Sequence, residues 1–340
     1  MAYNPSHTAV VILNWNGLRF LKEFLPSVVA HSGGCEVIVA DNASTDGSIA
    51  FLKAHFPEVR LILLSENFGF CEGYNQALRQ VEATYYVLLN SDVAVPPGWM
   101  KPVISLMDAD ESIAVCQPKI LSQQHPHFFE YAGAGGGLLD ALGYPYCRGR
   151  LFEKLEEDKG QYNDVREIFW ASGACMFVRA EVYRALGGLE PAFFAHMEEI
   201  DFCWRAKLAG YKVLYNGQCA VYHVGGGTLH KSNPRKTYLN FRNGLALLYK
   251  NIPQKELMST LLLRVLLDWV AALRMVMAGQ TKDAKAVLDA HLDLFLNRGY
   301  WRSRRQVQRQ KGDFPDMPGV YRGSIVWQYF VRQKRTVQEL

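Results

Sequence analysis

Four short apolar runs, at 8–13, 36–40, 59–64 and 85–89, alternate with stretches of helical spacing, and each run ends in a polar cluster. The first run, TAVVIL, is continuously apolar and rich in branched residues, as a strand covered on both faces must be. Leu18, Leu21, Leu25 and Val28 then recur at helical steps over 18–30, and helical segments follow at 48–56 and 70–81. Strands alternating with helices at this spacing predict an α/β fold, a Rossmann-like and mostly parallel sheet with helices on both faces. Ligands of such sheets sit at the carboxyl ends of the strands. The polar clusters fall at those ends.

The fourth run leads directly into Asn90-Ser91-Asp92. A carboxylate just past a buried strand is held rigidly at the ligand rim and can bind a hard divalent ion that bridges two phosphates. The same residues also suit a turn, or a cap for the segment after Pro96-Pro97. The second run is followed by Asp41-Asn42-Ala43-Ser44-Thr45-Asp46-Gly47. Helix capping accounts for Ser44, Thr45 and Asp46. It leaves Asp41 as an acceptor for a ribose or a pyrimidine base. The third cluster, 66–75, has glycines that let the backbone approach a ligand, but neither GxGxxG nor a P-loop lysine. That argues against a dinucleotide-binding dehydrogenase and a P-loop ATPase.

Beyond the fourth run the pattern loosens. The glycine-rich 133–137 and the charged 153–160 read as a connection or lid. A strand at 174–178, a helix at 199–209 and strands at 212–215 and 220–223 follow. The helix opens on Glu198, Glu199 and Asp201, with Arg205 four residues after the last. A carboxylate aimed into a pocket is what a general base for an acceptor hydroxyl requires. The alternative is an acidic helix N-terminus with an Asp201–Arg205 pair. His223 closes an apolar run before Gly225-Gly226-Gly227, where a neutral imidazole can ligate a metal or serve the structure alone.

The net charge of +4 hides an asymmetry: 22 basic and 25 acidic residues up to Lys250, then 15 and 8 beyond it. In the region 257–278, Thr260, Arg264, Asp268, Ala271 and Arg274 form a narrow stripe on an otherwise apolar helix. Such a helix lies in a membrane interface, or packs on the catalytic domain or on a second subunit in a homo-oligomer. Six basic residues and no acid between Arg298 and Lys311 (Arg298, Arg302, Arg304, Arg305, Arg309, Lys311) suit an anionic membrane surface or simple solvation. No nucleic-acid-binding motif is present. Seven cysteines, an odd number without a CxxC pair, and an N-terminus without an apolar signal segment predict a reduced, cytoplasmic setting, with peripheral contact to the inner face of the cell membrane.

VVILNWNG, DNASTDGS, ENFGFCEGYNQ, LLNSDV, ASGACMFV, GGLEPAFFAHMEEIDFCWR and YHVGGG occur in the order seen in glycosyltransferase family 2, and the chain most resembles its bacterial rhamnosyltransferase-like branch. The resemblance covers roughly Thr8 to Lys250. It implies a GT-A catalytic domain over 1–250, with a nucleotide-binding half to about 120 and an acceptor half beyond, and leaves 251–340 as a basic helical extension. It further implies a nucleotide-diphosphate sugar donor (UDP- or dTDP-linked), inversion at the anomeric carbon, a Mg²⁺ or Mn²⁺ ion and a glycan or lipid-linked acceptor in cell-surface polysaccharide synthesis. By motif, Asn14, Trp15, Asn16, Asp41, Asn42, Asn67, Gly73, Asn75, Asn90 and Ser91 would line the donor cleft. Trp170, Gly173 and Ala174 would border the acceptor, Asp92 and His223 would hold the metal, and Glu199 would be the base, with Glu198 and Asp201 as alternatives. Two departures stand out: Asn90 occupies the first acidic place of the family's DxD motif, and Glu199 replaces the usual Asp. A sugar-nucleotide-binding protein without transferase activity and a sugar nucleotidyltransferase are the rival readings.

Overall fold

The computed structural model describes residues 7–225, 233–305 and 313–340. Strands β1 (Thr8–Asn14), β2 (Glu36–Asp41), β3 (Arg60–Leu63) and β4 (Tyr85–Leu89) are joined by α1 (Leu18–His31), α2 (Ser48–His55) and α3 (Gly69–Leu78). They pair in parallel in the order β4-β1-β2-β3. Their continuous apolar character has a direct cause: successive residues serve opposite cores. Val11, Ile38 and Leu88 pack on one face of the sheet, while Val10, Ile12, Val39 and Val87 pack on the other.

The sheet continues through β5 (Val93–Ala94), α4 (Lys101–Ala109) and β6 (Ile113–Ser122), and later through β11 (Val165–Glu167), β12 (Cys175–Arg179), α5 (Ala180–Ala185), α6 (Glu198–Leu208) and β13 (Lys212–His223). Its order is β11-β13-β6-β12-β4-β1-β2-β3, with β5 on the far end of β13. Strand β12 is antiparallel to both β4 and β6, whereas β13 is parallel to β6. The carboxyl ends of β1, β2, β4, β6 and β13 therefore share one edge with the amino end of β12. The local pattern of β6 hides it, because IAVCQPKILS contains a proline, which removes a ladder donor. Pro118 pairs with Asn216 where the register of β13 shifts before Ala220, and a bulge there accommodates it.

The glycine-rich 133–137 and the charged 153–160 are mostly turn and coil, and they flank a second, smaller sheet. Strands β7 (Gly137–Asp140), β8 (Pro145–Cys147), β9 (Arg150–Leu151) and β10 (Lys154–Leu155), together with β14 (Val320–Tyr321), form a five-stranded sheet. Polar contacts anchor the charged run: Lys119 pairs with Asp158, 39 residues away, at 2.6 Å, and the Tyr162 hydroxyl donates locally to Glu156 at 3.1 Å.

The C-terminal part comprises α7 (Pro234–Asn251), α8 (Gln254–Met277), α9 (Thr281–Leu296), α10 (Arg298–Ser303) and α11 (Ile325–Phe330). It returns to the rest of the chain through β14 on β7 and through Phe314, which stacks on Trp204 at 4.7 Å. Gly226, Gly227, Arg309 and Lys311, named above, lie outside the described residues.

Candidate active site

The first three strand-end loops are laced together by side chains. Asn14 and Asp41 are register partners on β1 and β2, and Asn14 Nδ2 donates to Asp41 Oδ2 at 2.9 Å and to Ser44 Oγ at 3.1 Å. The Ser44 amide donates to Asp41 Oδ1 at 2.8 Å. Asn16, at φ 51°, accepts from the Thr45 amide at 2.7 Å. Asn42 spans to the third loop, donating to Asn67 Oδ1 and to the Gly69 carbonyl, both at 3.0 Å. A Cβ on Gly73 would stand 3.1 Å from Asn42 Nδ2, so the glycine leaves room for that bridge. Asp46 caps two helices, accepting from the amides of Leu18 and Ser48. Buried Asn14 Oδ1 has no donor, and the half-exposed Trp15 stands beside this cluster.

At the end of β4, the Asn90 amide donates to the Ala174 carbonyl at 3.0 Å, which places Gly173 and Ala174 next to Asn90-Ser91-Asp92. Asp92 and His223 are 131 residues apart in sequence, yet His223 Nε2 lies 3.1 Å from Asp92 Oδ1. Asn90 Nδ2 is 3.5 Å from the same nitrogen. Behind the ring, Glu130 Oε2 lies 3.4 Å from Nδ1. A Cβ on Gly225 would come within 2.6 Å of Glu130 Oε1. Burial opposes a charge on His223, but Asp92 and Glu130 outweigh it and raise the imidazole to about 10.

Glu198 and Glu199 begin α6. They are close enough to Cys71, in the first turn of α3, for their charges to raise its thiol beyond what burial alone does. Each has an Oε2 that is buried and without a hydrogen-bond partner. Burial pushes Glu199 up to about 7, and it raises Glu198 further, where the Glu199 charge adds to it. The turn leading to them is strained: Phe194, His196 and Met197 all have φ between 65° and 75°, a region costing about 1 kcal/mol or more for each such residue. Asn243 of α7 holds it, its Nδ2 lying 2.7–2.9 Å from the carbonyls of Phe193, Ala195 and His196.

Three expected site residues are turned elsewhere. Both Asp201 oxygens are occupied: Oδ2 by Arg205 and Lys250 at 2.8 Å each, and Oδ1 by Asn251 at 2.8 Å. Burial works against its charge, and Lys250 and Arg205 overcome this and lower its carboxyl. Asn75 braces the turn before residue 190, donating to the Leu189 carbonyl and accepting from the Leu189 amide and the Tyr183 hydroxyl. Trp170 is buried, its indole donating to the Leu138 carbonyl at 3.0 Å.

Glu130 and Asn243 join the site without any signal in the local sequence. Glu130 lies in an irregular segment, and Asn243 is one polar residue among several on α7.

The sequence model described as glycosyl transferase family 2 matches residues 9–187, more than half of the chain. The chain belongs to this family. It is a glycosyltransferase. An N-acetylglucosaminyl-diphospho-decaprenol L-rhamnosyltransferase of Mycobacterium tuberculosis is 25% identical over 238 residues, covering 63% of this glycosyltransferase and 75% of the relative. Among solved structures, GalNAc-T7 with UDP, GalNAc and Mn²⁺ superposes at a TM-score of 0.56 with 13% identity, covering 88% of this chain and 58% of that one. A mannosyltransferase of Pyrobaculum calidifontis in complex with GDP-Man and Mn²⁺ gives 0.53 with 15% identity, covering 90% and 86%. The fold of this family 2 glycosyltransferase is thus GT-A.

The Asp92–His223 pair suits a divalent ion. Two neighbouring ligands of an octahedral ion, each about 2.1 Å from it, stand about 3.0 Å apart; the 3.1 Å between Oδ1 and Nε2 is here a hydrogen bond, and an ion would take the place of its proton. Among the described residues no cluster of three or more acidic, histidine or cysteine side chains converges as a metal cage. Two protein ligands suffice where substrate phosphates and water complete the shell.

Proposed function

We propose that this glycosyltransferase transfers a hexosyl or deoxyhexosyl group, with rhamnose favoured by the mycobacterial relative, from a UDP- or dTDP-linked donor. The acceptor is a hydroxyl of a glycan or lipid-linked oligosaccharide in cell-surface polysaccharide synthesis. The observations that carry this reading are a two-ligand metal niche, Asp92 and His223, and an acidic pair at the start of α6, Glu198 and Glu199, whose Oε2 atoms are buried without a partner. In this reading Asp41, Asn14, Asn16 and Asn42 position the nucleoside, and Trp15 contributes an aromatic face beside them. Asn67, Gly73, Asn90 and Ser91 complete the donor side, and Gly173 and Ala174 border the acceptor. The domain division at about residue 250 belongs to the same reading.

Asp92 and His223 would hold Mg²⁺ or Mn²⁺, which supplies charge stabilisation for the departing diphosphate. Glu199 takes the acceptor proton while the oxygen attacks the anomeric carbon and the bond to the diphosphate breaks, inverting the centre. Its raised carboxyl, near 7, matches a base that works at neutral pH. Glu198 is raised further and stays protonated beside it. Asp201, already neutralised by two cations, lacks the freedom to accept a proton.

A thermal-shift screen of UDP-, dTDP- and GDP-sugars with and without Mn²⁺ identifies the donor, and product analysis then tests transfer. Asp92→Ala is expected to abolish the Mn²⁺-dependent part of the shift and the transfer together. Unchanged metal-dependent transfer by that variant would reject the site. Glu130 contacts the ring nitrogen opposite the metal-facing one and so orients His223. Glu130→Gln is expected to weaken Mn²⁺ binding about 10–100-fold in a calorimetric titration. An unchanged affinity would leave Glu130 as packing only.

A further inference from the structure

The long helix α8 is built inside out. Its polar stripe faces the protein: Thr260, Arg264 and Asp268 are buried. The Arg264 guanidinium lies 3.7 Å from the centre of the Tyr144 ring and bonds to Asp268 at 3.0 Å. Asp268 in turn accepts from the Tyr144 hydroxyl at 3.1 Å and faces His291 of α9 at 3.3 Å. With the charged stripe satisfied inside, the apolar face is left outside. Leu262, Leu266, Trp269, Leu273 and Met277 are 48–80% exposed along one side of the helix. Leu292 and Phe295 of α9 extend that surface, and Trp269 Nε1 bonds to His291 of α9 at 3.1 Å. On the other flank Arg274 lies over Phe330 of α11, itself exposed beside Trp327. An apolar surface drawn from three helices runs against the hydrophobic effect unless something covers it.

The charges around it say what covers it. Lys282, Lys285, Arg298 and Arg302 are exposed on α9 and α10, and Arg274 is exposed at the end of α8. Between Gln254 and Arg305 the one exposed acidic residue is Asp289, which Lys285 neutralises at 2.7 Å, while Glu256, Asp283 and Asp293 are half-buried. Lysine and arginine bordering leucine, tryptophan and phenylalanine match the boundary between anionic headgroups and acyl chains. A second copy fits less well, because two-fold pairing of this face would set its basic border against itself. No helix among the described residues is long and apolar enough to cross a membrane, so α8 would lie along the surface, over about 36 Å for its 24 residues.

We propose that the outer face of α8, α9 and α11 docks this protein on an anionic phospholipid bilayer. Arg242 and Asn243 of α7, which packs against α8 and α9, bond to the carbonyls before Glu198. The docking face is thereby joined rigidly to the turn that carries the acidic pair.

The test is flotation of the full-length protein with phosphatidylcholine vesicles, with and without phosphatidylglycerol. Wild type is expected to float with the anionic vesicles, and less so as salt rises. The double variants Leu266→Glu/Leu273→Glu and Lys282→Glu/Arg298→Glu are each expected to lower the bound fraction on the order of tenfold or more. Circular dichroism melts of both variants should match wild type, which separates lost docking from lost folding. The readout is independent of catalysis, so it stands whether or not the transfer reaction is as proposed. Absence of vesicle binding by wild type at low salt overturns the proposal. So does a dimer, seen by analytical ultracentrifugation, that Leu266→Glu/Leu273→Glu converts to monomer while vesicle binding is unaffected.

Discussion

Glu199→Gln is expected to lower kcat for sugar transfer by about 10²–10⁴-fold, the range set by removing a positioned general base, with donor affinity unchanged within a few-fold. The side chain keeps its size and place at the start of α6, so the loss reports the proton acceptor and not the scaffold. In wild type, kcat/KM should climb as pH rises and level off above about 7, the position to which burial moves this carboxyl. The same burial has an opposite effect on stability. A carboxyl raised in the folded state binds its proton more tightly there than in the unfolded chain. Its contribution is therefore full below the ordinary value of 4.5 and is lost as pH rises toward 7. Glu199→Gln should accordingly melt on the order of 2 °C higher than wild type at pH 8, and together with it near pH 5. A more stable, inactive variant is the signature of a buried charge kept for function. Activity within a few-fold of wild type would remove Glu199 from the mechanism and turn attention to Glu198.

Asp201→Ala is expected to do the reverse, destabilising the fold by about 3–5 kcal/mol because it leaves buried cations uncompensated. Lys250 and Arg205 both lose their shared carboxylate oxygen, and Asn251 loses its acceptor. The remaining partner of Lys250 is Glu190, at 3.3 Å and already bonded to Tyr300. A melting temperature lower by about 4–7 °C follows for a chain of this size. Burial resists the Asp201 charge, but Lys250 and Arg205 prevail and hold the carboxyl below its ordinary value. Its stabilisation is therefore present above 3.8 and disappears as acid carries the pH through the lowered value. If Asp201→Ala instead melted like wild type and lost transfer outright, the base would be Asp201 and not its neighbour.

The contrast between these two residues shows where sequence reading reaches its limit. Within Glu198–Asp201 the three acids are equivalent by type and lie within one helical turn. Position on the helix does not say which one meets Lys250, because that lysine comes from α7, 49 residues later. Asn75 is similar. Its loop motif points to the cleft, but its side chain is spent on the Tyr183 hydroxyl and the backbone of Leu189, contacts more than 100 residues away in sequence. Glu130 had no pattern around it at all and matters only because β6 and β13 are neighbours.

Local chemistry was enough for what depends on nearest neighbours along the chain. Buried strands need continuous apolar runs, parallel strands need helical crossovers, and clusters of polar residues mark where the first four strands end. The sheet, the polar clusters along one edge and the strand-end positions of Asp41, Asp92 and His223 were therefore legible from residue order alone. Tertiary structure decided the rest: which carboxylates are neutralised, which imidazole meets which acid, and which side of α8 faces out. Those outcomes depend on distances between segments far apart in sequence. On α8 the buried partners of Arg264 and Asp268 reversed the face that hydrophobicity alone would have turned inward.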